Sequence, residues 1–291
     1  QAIRCGSALQ EAMPIRHLSN ARYHSHKAIS NSDLGAAALS GKAFYDKKFG
    51  LKGKSTKAKG FGTCFHSLVL PGEQLSDVAA VRPEGLDART KAGKAFAAEN
   101  ADKIILSLAE KHELDLMLES VHEHPAASEL LKLKGKAEVS LFGVDPETEL
   151  PIKARPDYLL DDRSLILDIK TTVDASPRGF QRSFANYRYW VQSAWYLWIT
   201  EMVTGRRPDA FIFICVEKQR PYHTAVYIAD DQSIELGMQE ARRNLMDIAK
   251  WQNCKMFPGY SSKAEMLSLP KWMLPKEDGT PAADHQPIEL Y

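Results

Sequence analysis

The chain has 291 residues, 44% hydrophobic and 26% charged, with 38 Lys+Arg against 37 Asp+Glu. That composition is ordinary for a globular protein and too neutral for a basic nucleic-acid coat, so any attraction to phosphate must come from local clusters. No apolar run nears the ~20 residues of a bilayer span, no signal-peptide pattern is visible, and Cys5, Cys64, Cys215 and Cys254 form no CxxC pair, which excludes a disulfide or zinc framework and predicts a cytoplasmic protein without membrane contact.

Residues 1–12 carry no pattern and are expected to be an unstructured start. A single domain is expected over 13–260, mainly helical over 13–135 and α/β over 136–260, with an extended tail at 261–291. "AISNSDLGAAALSG" offers Ser30, Asn31 or Ser32 as N-cap of a short apolar helix. From Lys47 to Lys59, "KKFGLKGKSTKAK" holds Lys47, Lys48, Lys52, Lys54, Lys57 and Lys59 with no acid, and its glycines predict a loop. Such a loop is either a solvated surface or a track for a phosphate backbone, and composition does not decide between them. "GFGTCFHSLVLPGE" predicts a helix or strand ended by Pro71-Gly72. Residues 88–133 place Leu, Ala and Ile among charges at helical spacing, with Pro125 dividing them into two helices.

The texture then changes. "AEVSLFGVD" (137–145) alternates as a half-buried strand does, and "IKARPDYLL" and "SLILDIKTT" read as two more strands around the turn "DDRS". A long aromatic helix, "FANYRYWVQSAWYLWITEMVTG", follows and closes at Gly205. "AFIFICVEK" is apolar enough for a central strand, "YHTAVYIA" is the next strand, and residues 231–253 form an amphipathic helix. The order predicts an α/β fold with a central mixed sheet flanked by helices. No glycine-rich phosphate loop occurs, so nucleotide binding has no support.

Asp168 sits inside "LILDIK", where burying a carboxylate is costly unless a cation or donors compensate it. If the two strands pair as a hairpin, Asp157 and Asp168 come close, and two such carboxylates make sense around a divalent metal. Mg2+ wants hard oxygen ligands, and Asp157, Asp168 and the main-chain carbonyl of Ile169 would make a half-cage. Lys170 is two residues further on and shares the face of Asp168. It could orient or help deprotonate a water, or neutralise charge on a phosphate. Glu138, on the preceding strand, could complete the acidic cluster. The plain alternative is an exposed Asp–Lys ion pair.

"RPDYLLDDRSLILDIKTT" resembles the PD-(D/E)xK nuclease signature, with Asp in place of Glu in the last element. More closely, the chain is similar to the exodeoxyribonuclease VIII (RecE) family of phage recombination exonucleases. "GFGTCFHSLVL" resembles the histidine-bearing helix of RecB-like and RecE-like nucleases, "YRYWVQSAWYLW" their Q-x-x-x-Y helix, and "GLDARTKAGKAFAAEN" a basic RecE-type segment. The resemblance covers roughly residues 14–260 and implies a restriction-endonuclease-like α/β core. It makes Asp157 and Asp168 metal ligands, with His66 and the Ile169 carbonyl as further ligands. Lys170 becomes the motif lysine, Glu138 an auxiliary acid, and Gln192 and Tyr196 holders of the site and the DNA.

The activity implied is Mg2+-dependent degradation of double-stranded DNA ends, 5′ to 3′, leaving 3′ overhangs for recombination by strand annealing. Two ions per site are implied, with Mn2+ able to substitute. The resemblance also implies a bacterial or phage-encoded protein, a trimeric or tetrameric ring around the duplex, and a RecT-type single-strand annealing partner. Expected DNA contacts are the six lysines of 47–59 together with Arg89, Lys91 and Lys94, and Ser30 and Ser32 for a 5′-phosphate; simple capping is the alternative for the serines. The competing activities are a restriction-like or structure-specific endonuclease and a non-catalytic DNA-binding module.

Overall fold

A computed structural model of the chain describes residues 15–16, 18–50, 57–72 and 74–269. The first half runs through β1 (Ile15–Arg16), α1 (Asn20–Ser25), α2 (Asn31–Leu39), α3 (Gly41–Phe49), α4 (Lys57–Val69) and α5 (Leu75–Val78). It continues with β2 (Ala79–Val81), α6 (Lys91–Glu99), β3 (Ile104–Leu106), α7 (Leu108–Glu123) and α8 (Pro125–Lys132). Then come β4 (Gly135–Ala137), β5 (Ser140–Val144), β6 (Pro151–Ala154), β7 (Tyr158–Leu160) and β8 (Leu165–Thr172). The chain finishes with α9 (Pro177–Asn186), α10 (Tyr189–Thr204), β9 (Ala210–Glu217), β10 (Thr224–Ile228) and α11 (Asp231–Cys254).

The fold is α/β around a mixed sheet of order β10-β9-β8-β7-β4. β8 and β9 are parallel, and the other neighbours are antiparallel. The continuous apolar run of β9 fits its interior place, but the middle of the sheet belongs to β8, the strand that carries Asp168. Leu167 and Ile169 of β8 face a core shared with Phe65 of α4 and Leu114 and Met117 of α7. Ile166, with Phe211 and Phe213 of β9, packs on the other side against Phe180, Ala194 and Leu197 of α9 and α10. Each fully buried Phe, Leu or Ile contributes about 1.5–3 kcal/mol. β8 is therefore clamped from both faces.

The expected hairpin is present: Tyr158 pairs with Leu167 and Leu159 with Ile166. Its tip is the "DDRS" turn, where Asp162 Oδ1 accepts from Ser164 N at 2.9 Å. However, "IKARPDYLL" is not one strand. β6 belongs to a second sheet, β1-β5-β6, and the chain crosses to β7 through Arg155-Pro156-Asp157. Pro156 has no N–H to give a ladder, which is where the pairing ends. "AEVSLFGVD" divides in the same way between β4 and β5. There Glu138 takes a left-handed φ of 53°, and its N–H donates to Asp157 O at 3.0 Å. The two crossings between sheets thus lie side by side.

The aromatic helix is two helices, broken at Arg188, whose φ 57° and ψ 38° are left-handed. Apolar residues of both helices face one core, so the hydrophobic pattern runs through the break. α10 ends at Gly205 with φ 73°, a position that suits a residue without Cβ. Within 88–133 the structure adds β3, which pairs in parallel with β2. A three-residue apolar strand is shorter than a helical turn, so periodicity could not reveal it. Pro125 does open α8, and "GFGTCFHSLVL" is helical, within α4.

The basic stretch 47–59 is also less of a loop than expected. Lys47 and Lys48 end α3, and Lys57 and Lys59 begin α4, while Lys52 and Lys54 lie outside the described residues. Residues 1–12 and the tail from 270 onward lie outside them too, and 256–269 hold no helix or strand. No helix among the described residues is long and apolar enough to cross a membrane.

Candidate active site

The hairpin and the two crossings bring the sequence-selected acids together. Asp157 follows the β6 crossing, and its Oδ2 accepts from Ile169 N at 2.8 Å, which ties it to β8. Asp168 is completely buried. Its Oδ1 accepts from Gln192 Nε2 of α10 at 2.6 Å. Its Oδ2 lies against the Lys170 ammonium but receives no well-formed hydrogen bond. Burial pushes the Asp168 carboxyl up to about 6, with the charge of Asp157 adding to the rise and Lys170 opposing it. For Lys170, burial would lower the pKa, but Asp168 and Asp157 outweigh it and hold the group above its ordinary value. The two acids thus favour the charged form of Lys170. The Tyr189 ring lies over it, with its centroid 4.8 Å from Nζ.

Beside this pair, His66 of α4 places Nδ1 3.5 Å from Asp157 Oδ2. One ligand atom each from His66, Glu138 and Asp157 lie within 4.8 Å of one another, and all three residues are half-buried. Glu138 reaches this point because its left-handed backbone turns the chain between the sheets, and its Oε2 lies 3.3 Å from Arg155 Nη1. Tyr196 stands one helical turn beyond Gln192 on the same face of α10. Burial pushes its hydroxyl well above the usual tyrosine value, with smaller contributions from Tyr23, Asp168, Asp157 and Glu138.

An imidazole and two partly exposed carboxylates form a donor set that fits a hard divalent cation such as Mg2+ or Mn2+. His66, Glu138 and Asp157 would hold it, with the buried Asp168 oxygen that lacks a hydrogen bond near Asp157. For Ile169, the group seen engaged with an acid is its N–H, on Asp157. The fit has a pH signature. The Asp168 carboxyl titrates at about 6 in the folded chain and at about 3.9 when unfolded. Between those values the folded state holds the extra proton, so stability falls as pH rises through the window. Above it, a buried charge stands that a cation would relieve. Mg2+ should therefore raise the unfolding temperature at pH 8 and barely at pH 5, with reversal by EDTA. Equal shifts at both pH values would contradict the assignment.

The expected DNA contacts are dispersed. Lys48 is turned inward, donating to Asp33 Oδ2 and Ala28 O, each at 2.9 Å, so a phosphate would have to break that pair. Ser30 caps α2, with its N and Oγ both donating to Asp33 Oδ2 at 2.8 Å, and its Oγ lies 3.2 Å from Ser32 Oγ. Arg89 pairs with Asp87 at 2.9 Å, while Lys47, Lys91 and Lys94 are exposed.

Two neighbours of the site escape the sequence reading. Arg155 is almost fully buried, and besides Glu138 it meets Ser140 Oγ at 3.1 Å and Asn20 Oδ1 at 2.7 Å. A cation two residues before the first motif acid, just past a strand of buried residues, was the available signal. Tyr189 carries no local sign that sets it apart from the other aromatics of "YRYWVQSAWY".

An acid at a strand crossing, an acid and a lysine on the adjoining central strand, and an α/β core around a mixed sheet define a PD-(D/E)xK-type domain. The family model described as a PDDEXK-like domain of unknown function (DUF3799) matches residues 30–270, and the chain belongs to that family. No curated protein sequence matches the chain. Among solved structures it is similar to a "Putative exonuclease" from Eubacterium rectale, with TM-score 0.60 and 14% identity over 88% of this chain and 96% of that one. That likeness is one of fold. A phage related exonuclease from Haemophilus somnus 129PT (TM-score 0.32, 14% identity, 66% of this chain, 95% of that chain) is too distant in shape to argue from. So is an alkaline exonuclease from Laribacter hongkongensis (TM-score 0.27, 15% identity, 68% of this chain, 97% of that chain).

Proposed function

We propose that this protein is a divalent-cation-dependent deoxyribonuclease that resects linear double-stranded DNA 5′ to 3′ and leaves 3′ overhangs for strand annealing. The observation that carries the nuclease reading is the convergence of Asp157, Asp168 and Lys170 with the His66–Glu138 pair at the junction of two sheets. The direction of resection, a trimeric or tetrameric ring and a RecT-type annealing partner rest on the resemblance in sequence.

A divalent cation at the acid cluster, Mg2+ or Mn2+ and two ions in this reading, would supply positive charge to the scissile phosphate and acidify a water. The chain's own groups do the positioning. The Ile169 N–H fixes Asp157, and the Gln192 amide fixes the Asp168 carboxylate, so neither acid has to reorganise during the reaction. The Lys170 ammonium, backed by the Tyr189 ring and kept charged by the acids, neutralises charge that develops on the phosphate.

The test is incubation of linear and covalently closed DNA with Mg2+ or with EDTA. Mg2+-dependent loss of linear DNA with closed circles intact is the expected result, and linear DNA labelled on one strand reports the direction. Cleavage of closed circles would replace the end-resecting reading with an endonuclease. No cleavage with either Mg2+ or Mn2+ would leave a DNA-binding module.

A further inference from the structure

The break between α9 and α10 presents a surface that the acid cluster does not use. The sequence of α9, "PRGFQRSFAN", contains no acid. Its outer side exposes Arg178, Gln181 and Arg182, while Phe180 is buried beneath them. The nearby Asp174 is engaged by Ser176 N at 2.9 Å. Past the end of the helix, Tyr187 is 68% exposed. Its ring centroid is 5.6 Å from that of Tyr189, the residue whose ring covers Lys170.

Tyr187 is held in this position. The next residue, Arg188, adopts the left-handed conformation that costs a non-glycine residue free energy. Both its Nη1 and Nη2 donate to Glu240 Oε1 of α11, each at 3.1 Å, which fixes the corner. An isolated exposed aromatic is ordinary on a protein surface. One held at a strained corner, next to the aromatic cover of a phosphate-handling lysine and just past an acid-free helix that exposes two arginines, offers the stacking ring and cationic side chains that single strands require.

We propose that the outer side of α9 and Tyr187 form the track by which a DNA strand enters the site. Arg178 and Arg182, one helical turn apart, take successive backbone phosphates, and Tyr187 stacks on the base at the free end. The inference rests on the nuclease reading for its substrate, but its test does not depend on cleavage.

Binding is measured in EDTA, by fluorescence anisotropy, to a short duplex with a single-stranded 5′ tail and to a covalently closed minicircle, over a range of salt. Tyr187→Ala should weaken binding of the tailed duplex roughly 5- to 100-fold and leave the minicircle unchanged, with Tyr187→Phe close to the unaltered protein. Arg178→Ala/Arg182→Ala should weaken both DNAs and reduce the salt slope by about 0.9 per lost contact. Thermal unfolding checks that each variant is folded.

Folded variants that bind the tailed duplex as tightly as the unaltered protein would overturn the track, as would no binding to either DNA at low salt. Equal weakening of minicircle and tailed duplex by Tyr187→Ala would overturn end stacking. Residue-dependent binding without cleavage in any divalent cation would sink the nuclease reading and leave the track standing.

Discussion

Asp168→Asn is expected to lower Mg2+-dependent DNA cleavage by about a thousandfold or more, since the proposed site loses an acidic charge beside its cation and with it several kcal/mol of charge stabilisation. The substitution nearly preserves shape. An asparagine Oδ1 can still accept from Gln192, so that contact survives. What changes is the other side, where the Lys170 ammonium would face an amide NH2 in place of a carboxylate oxygen. A neutral side chain at 168 also removes the buried charge that lowers stability above pH 6, which offsets the lost ion pair with Lys170. The variant should therefore be inactive without a large loss of stability in urea at pH 8. Asp168→Asn/Lys170→Met removes both charges, and it should recover none of the activity. Recovery of activity in the double variant, or full activity in the single one, would remove Asp168 from the site.

The hairpin and its acids were legible because the chemistry left a contradiction in the sequence, a carboxylate and a lysine inside an apolar strand. His66, Gln192 and Tyr196 were legible only as a resemblance. By pattern alone each is a plausible core residue, and Gln192 is in fact buried. Burial and function coincide there, because a hidden amide is what holds a hidden carboxylate. The strand boundaries were not legible, for a related reason. β5 and β6 lie in one sheet while β4 and β7 belong to another, yet an alternating pattern reports only that a residue faces some core. The turns that change sheets fall on Glu138 and Pro156, and only the second carries a local sign. The break at Arg188 was hidden in the same way, since nothing in "NYRYW" requires a left-handed residue. Lys48 shows the opposite error. Its place in a lysine run reads as solvated or phosphate-facing charge, and the fold pairs it with Asp33.

Arg155→Met is expected to destabilise the chain by about 3 kcal/mol, because a nearly buried guanidinium loses four partners at once, buried Ser140 among them. The guanidinium reaches Asn20 Oδ1 and Leu18 O near α1, Ser140 Oγ on β5 and Glu138 at the crossing. It also lies over the Tyr23 ring, with Cζ 4.6 Å from the centroid. One planar group thus joins the N-terminal segment, the small sheet and the candidate cation site. Lysine cannot reproduce that fork, so Arg155→Lys should recover little of the loss. Two consequences can be separated by urea denaturation of Arg155→Met, Glu138→Gln and the double variant. If the arginine acts chiefly by neutralising Glu138, the double variant should be more stable than the sum of the single losses predicts, by about 1 kcal/mol or more. If it acts chiefly as an anchor for Asn20 and Leu18, the losses should add. A loss below about 1 kcal/mol for Arg155→Met, the typical worth of a single hydrogen bond, would show that the guanidinium joins nothing. The same variant bears on the metal: with Arg155 gone, Glu138 loses its restraint on one side and its competing cation on the other. Mg2+ protection against urea measures which of the two matters. A smaller Mg2+ effect than in the unaltered protein would mean that Arg155 holds Glu138 in place for the cation, and a larger one that it competes with the cation for the carboxylate.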